Sequence, residues 1–184
     1  IDTGDIKDNA QAVLASLDKS DISSILSKTG LTQAIGKKET VYLTVFDRTT
    51  KENGIATLGV DKPGLKSSFT DKYSFTTITK AKNADVIAFR KGNYNLSPDQ
   101  HTTTDNFVTA KKWSSINPQQ AEYNWGNAQL VHWKAYDGTP LAGILITPEN
   151  LDKTRKYPMM IYFYEKNSQT LYNYSAPAPS RSVI

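Results

Sequence analysis

The sequence feature that most constrains the fold is a nearly continuous apolar run from Pro158 to Tyr164. A run of this kind predicts a strand that is buried on both faces of a sheet. Such a strand needs neighbouring strands and covering layers. Only 20 residues follow Tyr164 in the 184-residue chain, too few for strand–helix–strand units of about 30 residues each. We therefore expect the chain to be cut from a larger protein.

Residues 40–89 show the pattern of short strands joined by polar turns. Thr40 to Phe46 is rich in β-branched and aromatic residues and predicts a strand, with a return strand from Ile55 to Val60. Tyr73 to Thr79 and Val86 to Phe89 predict a second pair. The spacing is that of antiparallel hairpins.

The segments on either side of these pairs are less regular. Residues 8–29 favour a helix that Gly30 would end, although their Ser, Asp and Lys content also suits a loop. Residues 91–106 are polar and indicate turns, and Phe107 to Trp113 is weakly strand-like.

A hairpin is predicted in the last third of the chain. Gln129 to Tyr136 and Leu141 to Thr147 read as two strands, and Asp137-Gly138 between them is a turn signal. The carboxylate of Asp137 is expected to accept hydrogen bonds from nearby backbone amides of this turn.

Composition and charge exclude several classes of function. The net charge is +4, but the lysines are scattered rather than gathered in a basic stripe, so we expect no nucleic-acid partner. No apolar stretch approaches the roughly 18 residues of a membrane-spanning helix. The chain has no cysteine and two histidines, so we expect neither a thiolate metal site nor a multi-histidine metal centre.

Catalytic motifs are mostly missing from the sequence, which has no G-x-S-x-G, H-E-x-x-H or phosphate-binding glycine motif. A histidine base needs a nucleophile within hydrogen-bond reach and a third group to orient it. His132 alternates with Val131 and Trp133 on a strand, and His101 lies in a threonine-rich segment predicted to be a loop. Neither pattern favours a catalytic role.

Residues 117–184 resemble one family. The motifs are Ile116-Asn117-Pro118-Gln119, Glu122 to Gly126, Leu130 to Trp133, Tyr136 to Leu145, Pro148 to Asn150 with Lys156 to Met160, Tyr162 to Lys166, and Ala176 to Ser180. They resemble the junction of β-propeller and α/β-hydrolase domain in prolyl oligopeptidase-like serine peptidases. Within that family they look most like the dipeptidyl-aminopeptidase or acylaminoacyl-peptidase group of Bacteroidetes-type bacteria. Residues 39–112 are compatible with late propeller blades.

The resemblance implies a mainly β fold composed of two incomplete domains. Residues 1–122 would be the C-terminal part of a β-propeller, with 1–38 unassigned, and residues 123–184 the N-terminal part of an α/β-hydrolase peptidase domain. The parent would be periplasmic or secreted, and the rest of its own polypeptide would be the partner of this chain.

The resemblance also implies peptide-bond hydrolysis through an acyl-enzyme, without metal or cofactor. The catalytic Ser, Asp and His would lie further along the parent, so the chain alone is predicted to be inactive. Tyr164 matches a family tyrosine that donates its hydroxyl to the oxyanion hole. Many relatives have glycine after this tyrosine, whereas Glu165-Lys166 follows here. The alternative for Tyr164 is a strand-end residue whose ring packs in the core and whose hydroxyl faces water.

A second hypothesis of a different class remains open. The chain could be a stand-alone β-rich module that binds a glycan or a protein through exposed Tyr and Trp side chains.

Overall fold

The computed structural model describes residues 40–59, 65–164 and 166–176. These ranges hold nine strands and no α-helix, which confirms the mainly β class. The helix predicted over residues 8–29 lies outside the described residues. The chain divides into two compact units, residues 1–71 and 72–184. The predicted domain boundary after residue 122 falls inside the second unit and stays a prediction.

The described part of the first unit is a three-stranded antiparallel meander. Its strands follow one another in the sheet: β1 (Thr40–Phe46), β2 (Asn53–Gly59) and β3 (Leu65–Asp71). A carboxylate oxygen of Asp47 accepts hydrogen bonds from the amides of Thr49 (2.7 Å) and Thr50 (2.9 Å), which fixes the β1–β2 turn. Both predicted strands of this pair are confirmed.

A four-stranded antiparallel meander begins the second unit. Its strands are β4 (Ser74–Lys80), β5 (Ile87–Asn93), β6 (Leu96–Thr103) and β7 (Lys111–Lys112), in that order. Phe89 on β5 is almost fully buried. Its ring centroid lies 6.2 Å from that of Phe75 and 5.1 Å from that of Phe107. These rings form the apolar core of the sheet, because buried aromatic pairs prefer tilted contacts at such distances.

The sequence prediction for residues 91–106 is wrong, since β5 and β6 occupy most of that segment. The segment is polar and contains residues common in turns, among them Asn95, Pro98 and Asp99. In the β5–β6 register Asp99 pairs with Lys91 and Leu96 pairs with Asn93, which leaves Pro98 unpaired at a bulge. A proline is tolerated at such a bulge. The strand predicted from Phe107 to Trp113 is reduced to the two residues of β7.

The predicted hairpin is confirmed as β8 (Asn127–Lys134) and β9 (Pro140–Thr147). Gly138 adopts a φ of +86°, which suits glycine, and the Asp137 carboxylate accepts a hydrogen bond from the Thr139 amide at 2.9 Å. The ring of Trp133 lies over Gly143 on the paired strand. An aromatic side chain covering a strand glycine in this way stabilises the pairing.

The prediction of a buried strand from Pro158 to Tyr164 is wrong for the described structure. This stretch, called the apolar segment below, pairs with no strand in the described ranges and is exposed. Ile161 is 71% and Phe163 87% exposed. The physical reason is that a strand with two apolar faces needs partners on both edges and both faces, and the described residues supply none.

We expect the 184-residue chain to self-associate through the apolar segment, because exposed apolar strand-forming sequences pair with one another. In size-exclusion chromatography with light scattering, the mass should rise with protein concentration above 20.4 kDa. The double variant Ile161→Asp with Phe163→Asp should stay at the monomer mass. Val108→Asp is the matched control, since Val108 is 83% exposed but lies outside the segment. A wild-type monomer at every concentration would contradict this expectation.

Candidate functional site

The second unit contains a cavity of about 620 Å³. It lies where the β5–β6 turn, β7, a short 3₁₀ helix (Pro118–Glu122) and the residues after β9 meet. Its walls include polar, charged and aromatic side chains, among them Asn95, Asp99, Lys112, Gln120, Tyr123 and Glu149. This volume lies in the range of about 300–1,000 Å³ that is typical of ligand sites.

Trp125 anchors the cavity wall to three separate parts of the unit. Its indole Nε1 donates a hydrogen bond to the Tyr94 carbonyl at 2.6 Å. Its ring stacks on that of Tyr174, with centroids 5.3 Å apart and planes within 4°. Its backbone amide donates to Glu149 Oε1 at 3.2 Å. The β5–β6 turn, the segment after β9 and the residues around Tyr174 are therefore tied to one residue.

Asparagine and glutamine side chains around the cavity form further hydrogen bonds between the same segments. Asn95 Nδ2 donates to the Gly126 carbonyl at 2.8 Å, and Gln120 Nε2 donates to the Asn95 carbonyl at 2.7 Å. Asn117 Nδ2 donates to the Tyr174 hydroxyl at 2.8 Å. Gly126 has a φ of +87°, and a Cβ there would lie 2.7 Å from the Thr147 carbonyl oxygen. Only glycine fits this backbone conformation without strain.

Asp99 is the charged centre of the cavity floor, and its side chain is only 11% exposed. Oδ1 accepts hydrogen bonds from Ser114 Oγ at 2.7 Å and from the Ile116 amide at 2.9 Å. Oδ2 lies 2.5 Å from Lys112 Nζ. Burial acts to raise the pKa of Asp99, but the hydrogen bonds from Lys112, Ser114 and Ile116 outweigh it and hold the pKa below its ordinary value. The carboxylate is therefore charged and fully engaged.

The two histidines lie in different surroundings. His101 is on β6, not in a loop as the sequence indicated. Its ring stacks on Phe89 with centroids 5.7 Å apart, and its Nδ1 lies 3.0 Å from the Asp99 carbonyl oxygen. His132 is exposed on β8, opposite Ala142. Within the described ranges neither ring is hydrogen-bonded to a serine or a carboxylate, so neither forms part of a nucleophile–base pair.

The residue assigned to catalysis, Tyr164, stands at the end of the apolar segment. Its side chain is 77% exposed, and that of Tyr162 is 56% exposed. The ring of Tyr164 is not packed in a core formed by the described residues. The oxyanion role of its hydroxyl stays a prediction.

The described residues offer neither a metal-binding cluster nor a membrane-spanning helix. Residues 40–59, 65–164 and 166–176 hold no group of three or more His, Asp or Glu side chains that could bind a metal ion. No helix in this part of the chain is long and apolar enough to span a membrane.

The cavity was not predicted from the sequence, although one of its residues stands in a motif described above. Trp125 lies within one of the motifs of the family resemblance. Asp99 and Lys112 are 13 positions apart, and only the antiparallel pairing of β6 with β7 brings them together. A strand predicted over Leu96–Thr103 would have allowed the pairing of Asp99 with Lys112 to be expected.

Comparisons with known proteins leave the family of the chain open. No protein-family model matches the sequence, and a search of curated proteins finds none that matches it.

Replacing Asp99 by asparagine tests how much the hydrogen bonds and the ion pair of its carboxylate stabilise the fold. Asp99→Asn should lower the free energy of unfolding by about 1–3 kcal/mol, because hydrogen bonds to a charged acceptor are lost. Because the pKa of folded Asp99 is lowered, its contribution is present above the ordinary carboxyl pKa of about 3.9 and is lost as pH falls through the folded pKa. Urea unfolding followed by tryptophan fluorescence measures this, since Trp113, Trp125 and Trp133 all lie in the second unit.

The matched control is Asp85→Asn. Asp85 pairs with Lys80 at 3.2 Å, but its side chain is 93% exposed. This variant should change stability by less than about 0.5 kcal/mol. Equal effects of the two substitutions, or a difference between wild type and Asp99→Asn that grows at acid pH, would contradict the assignment.

Proposed function

We propose that the chain is part of a prolyl oligopeptidase-like serine peptidase, and that it spans the end of a β-propeller and the start of the α/β-hydrolase domain. The parent hydrolyses peptide bonds through an acyl-enzyme. Its catalytic Ser, Asp and His lie outside residues 1–184, and no metal or cofactor takes part.

The observation that carries the proposal is the order of elements in the second unit. A four-stranded antiparallel meander, β4 to β7, precedes the β8–β9 hairpin, and the apolar segment follows. A propeller blade is a four-stranded antiparallel sheet. The sequence motifs of the resemblance lie on the 3₁₀ helix, on the hairpin and in the apolar segment, in the order that the family junction requires.

The exposed apolar segment supports a larger parent. Side chains such as Met160 and Phe163, 76% and 87% exposed, are each stabilised by about 1.5–3 kcal/mol when buried. In the proposed parent further strands of the hydrolase sheet pair with the edges of this segment, and helices of the same domain cover its faces. The partner of the chain is then its own remaining polypeptide.

The direct test is to read the gene beyond Ile184 and to express the complete product. We expect a G-x-S-x-G motif followed by Asp and His, and labelling of the full-length protein by a fluorophosphonate probe. The 184-residue chain should show neither labelling nor turnover of a dipeptidyl chromogenic substrate, because it lacks an activated nucleophile. A stop codon directly after Ile184, or peptidase activity of the pure chain that the probe blocks, would overturn the proposal.

In the full-length enzyme Tyr164→Phe should lower kcat by about 10²–10³ and leave KM nearly unchanged. A phenol that stabilises an oxyanion acts only in the transition state, so its loss spares ground-state binding. Tyr162→Phe is the matched control, two residues deeper in the same segment, and should turn over at close to the wild-type rate. Wild-type kcat for Tyr164→Phe would remove Tyr164 from the oxyanion hole.

The stand-alone binding module remains the alternative proposal. It predicts a stop codon close to Ile184 and a chain that stays monomeric at high concentration. The gene and the light-scattering measurement therefore separate the two functions.

A further inference from the structure

The cavity presents an aromatic face that the fold does not use. Tyr123 follows the 3₁₀ helix in an extended conformation and is 66% exposed, although it lines the cavity. Its hydroxyl has no hydrogen-bond partner in the described ranges. Aromatic rings with one apolar face and one polar tip are characteristic of ligand sites.

Unused hydrogen-bonding capacity surrounds this ring. Only one oxygen of Glu149 is engaged, by the Trp125 amide at 3.2 Å, and the other has no partner in the described ranges. The ammonium group of Lys112 has three N–H donors, and its contact with Asp99 occupies one of them, so two remain. Ser97 and Ser115 add hydroxyls on the same wall, with no partner among the described residues. The cavity lining therefore offers both hydrogen-bond donors and acceptors.

The charges on the cavity wall balance. Lys91 and Lys112 are matched by Asp99 and Glu149. An anionic or cationic ligand would therefore meet attraction and repulsion together, while a neutral ligand with many hydroxyls would use both kinds of group.

The edge of β6 at Gln100, beside the cavity, is already occupied by the chain itself. The Trp113 amide donates to the Gln100 carbonyl at 2.8 Å, and the Gln100 amide donates to Ser114 Oγ at 2.8 Å. Binding by β-strand addition needs such an edge to be open. At this edge of β6, recognition must therefore come from side chains.

From these observations we propose that the cavity binds a short, uncharged oligosaccharide, with Tyr123 against a sugar face and Glu149, Lys112, Ser97 and Ser115 on its hydroxyls. This binding site is independent of the proposed peptidase function.

The test is titration of the 184-residue chain, followed by saturation-transfer NMR, with maltotriose, cellotriose and triacetylchitotriose. Trigalacturonic acid and the peptide Ala-Ala-Ala are the charged and peptide probes. We expect at least one neutral trisaccharide to bind with a Kd below about 5 mM and more tightly than either of these two probes.

Variants locate the binding. Tyr123→Ala should weaken it about tenfold or more, as expected for loss of an aromatic contact. Ser115→Ala, which deletes only an exposed hydroxyl, should weaken it roughly threefold and gives a second test if Tyr123→Ala does not fold. Tyr136→Ala is the matched control, because Tyr136 is fully exposed and does not line the cavity.

Three results would overturn the proposal. One is no binding of any neutral trisaccharide at about 5 mM. Another is a preference for trigalacturonic acid or the peptide. The third is wild-type affinity in the cavity variants.

Discussion

The indole of Trp125 is the contact on which the second unit depends. It reaches the Tyr94 carbonyl through Nε1 and the Tyr174 ring through its face. Its backbone amide holds the carboxylate of Glu149. These partners are 24 to 49 residues away along the chain. One half-buried tryptophan therefore closes several long loops at once, whereas the β-ladders join strands that follow one another in sequence.

This arrangement explains why the cavity and the anchor occur together. Hydrogen bonds hold the β5–β6 turn and Glu149, after β9, to Trp125, and Gln120 of the 3₁₀ helix to Asn95 of that turn. Asn95, Gln120 and Glu149 all line the cavity. Asp99 holds Lys112, Ser114 and Ile116 in the same part of the unit. Functional side chains positioned by satisfied neighbours lose little entropy when a ligand binds.

The sequence predicted local pairing well and long-range contacts poorly, for a physical reason. β1, β2, β8 and β9 followed from β-branched residues and turn signals, because both act over a few residues. β6 was missed because its segment is polar and contains turn residues such as Pro98, and proline occurs at a strand bulge as well as in a loop. The contacts of Asp99 and Trp125 could not be predicted, since they depend on which strands meet. The apolar segment had the expected composition, but a strand also needs partners, and composition does not supply them.

The apolar segment also links folding to chemistry in the proposed parent. An oxyanion donor stabilises the transition state because its hydroxyl is fixed before the reaction begins. Tyr164 is 77% exposed here, and an exposed side chain samples several rotamers and is solvated by water. Pairing of the segment with other strands of a hydrolase sheet would fix the backbone that carries Tyr164, and helices packed on that sheet would bury its apolar faces. The free energy of that burial would then supply the preorganisation of the hydroxyl, so assembly of the sheet and formation of the oxyanion hole would be a single event.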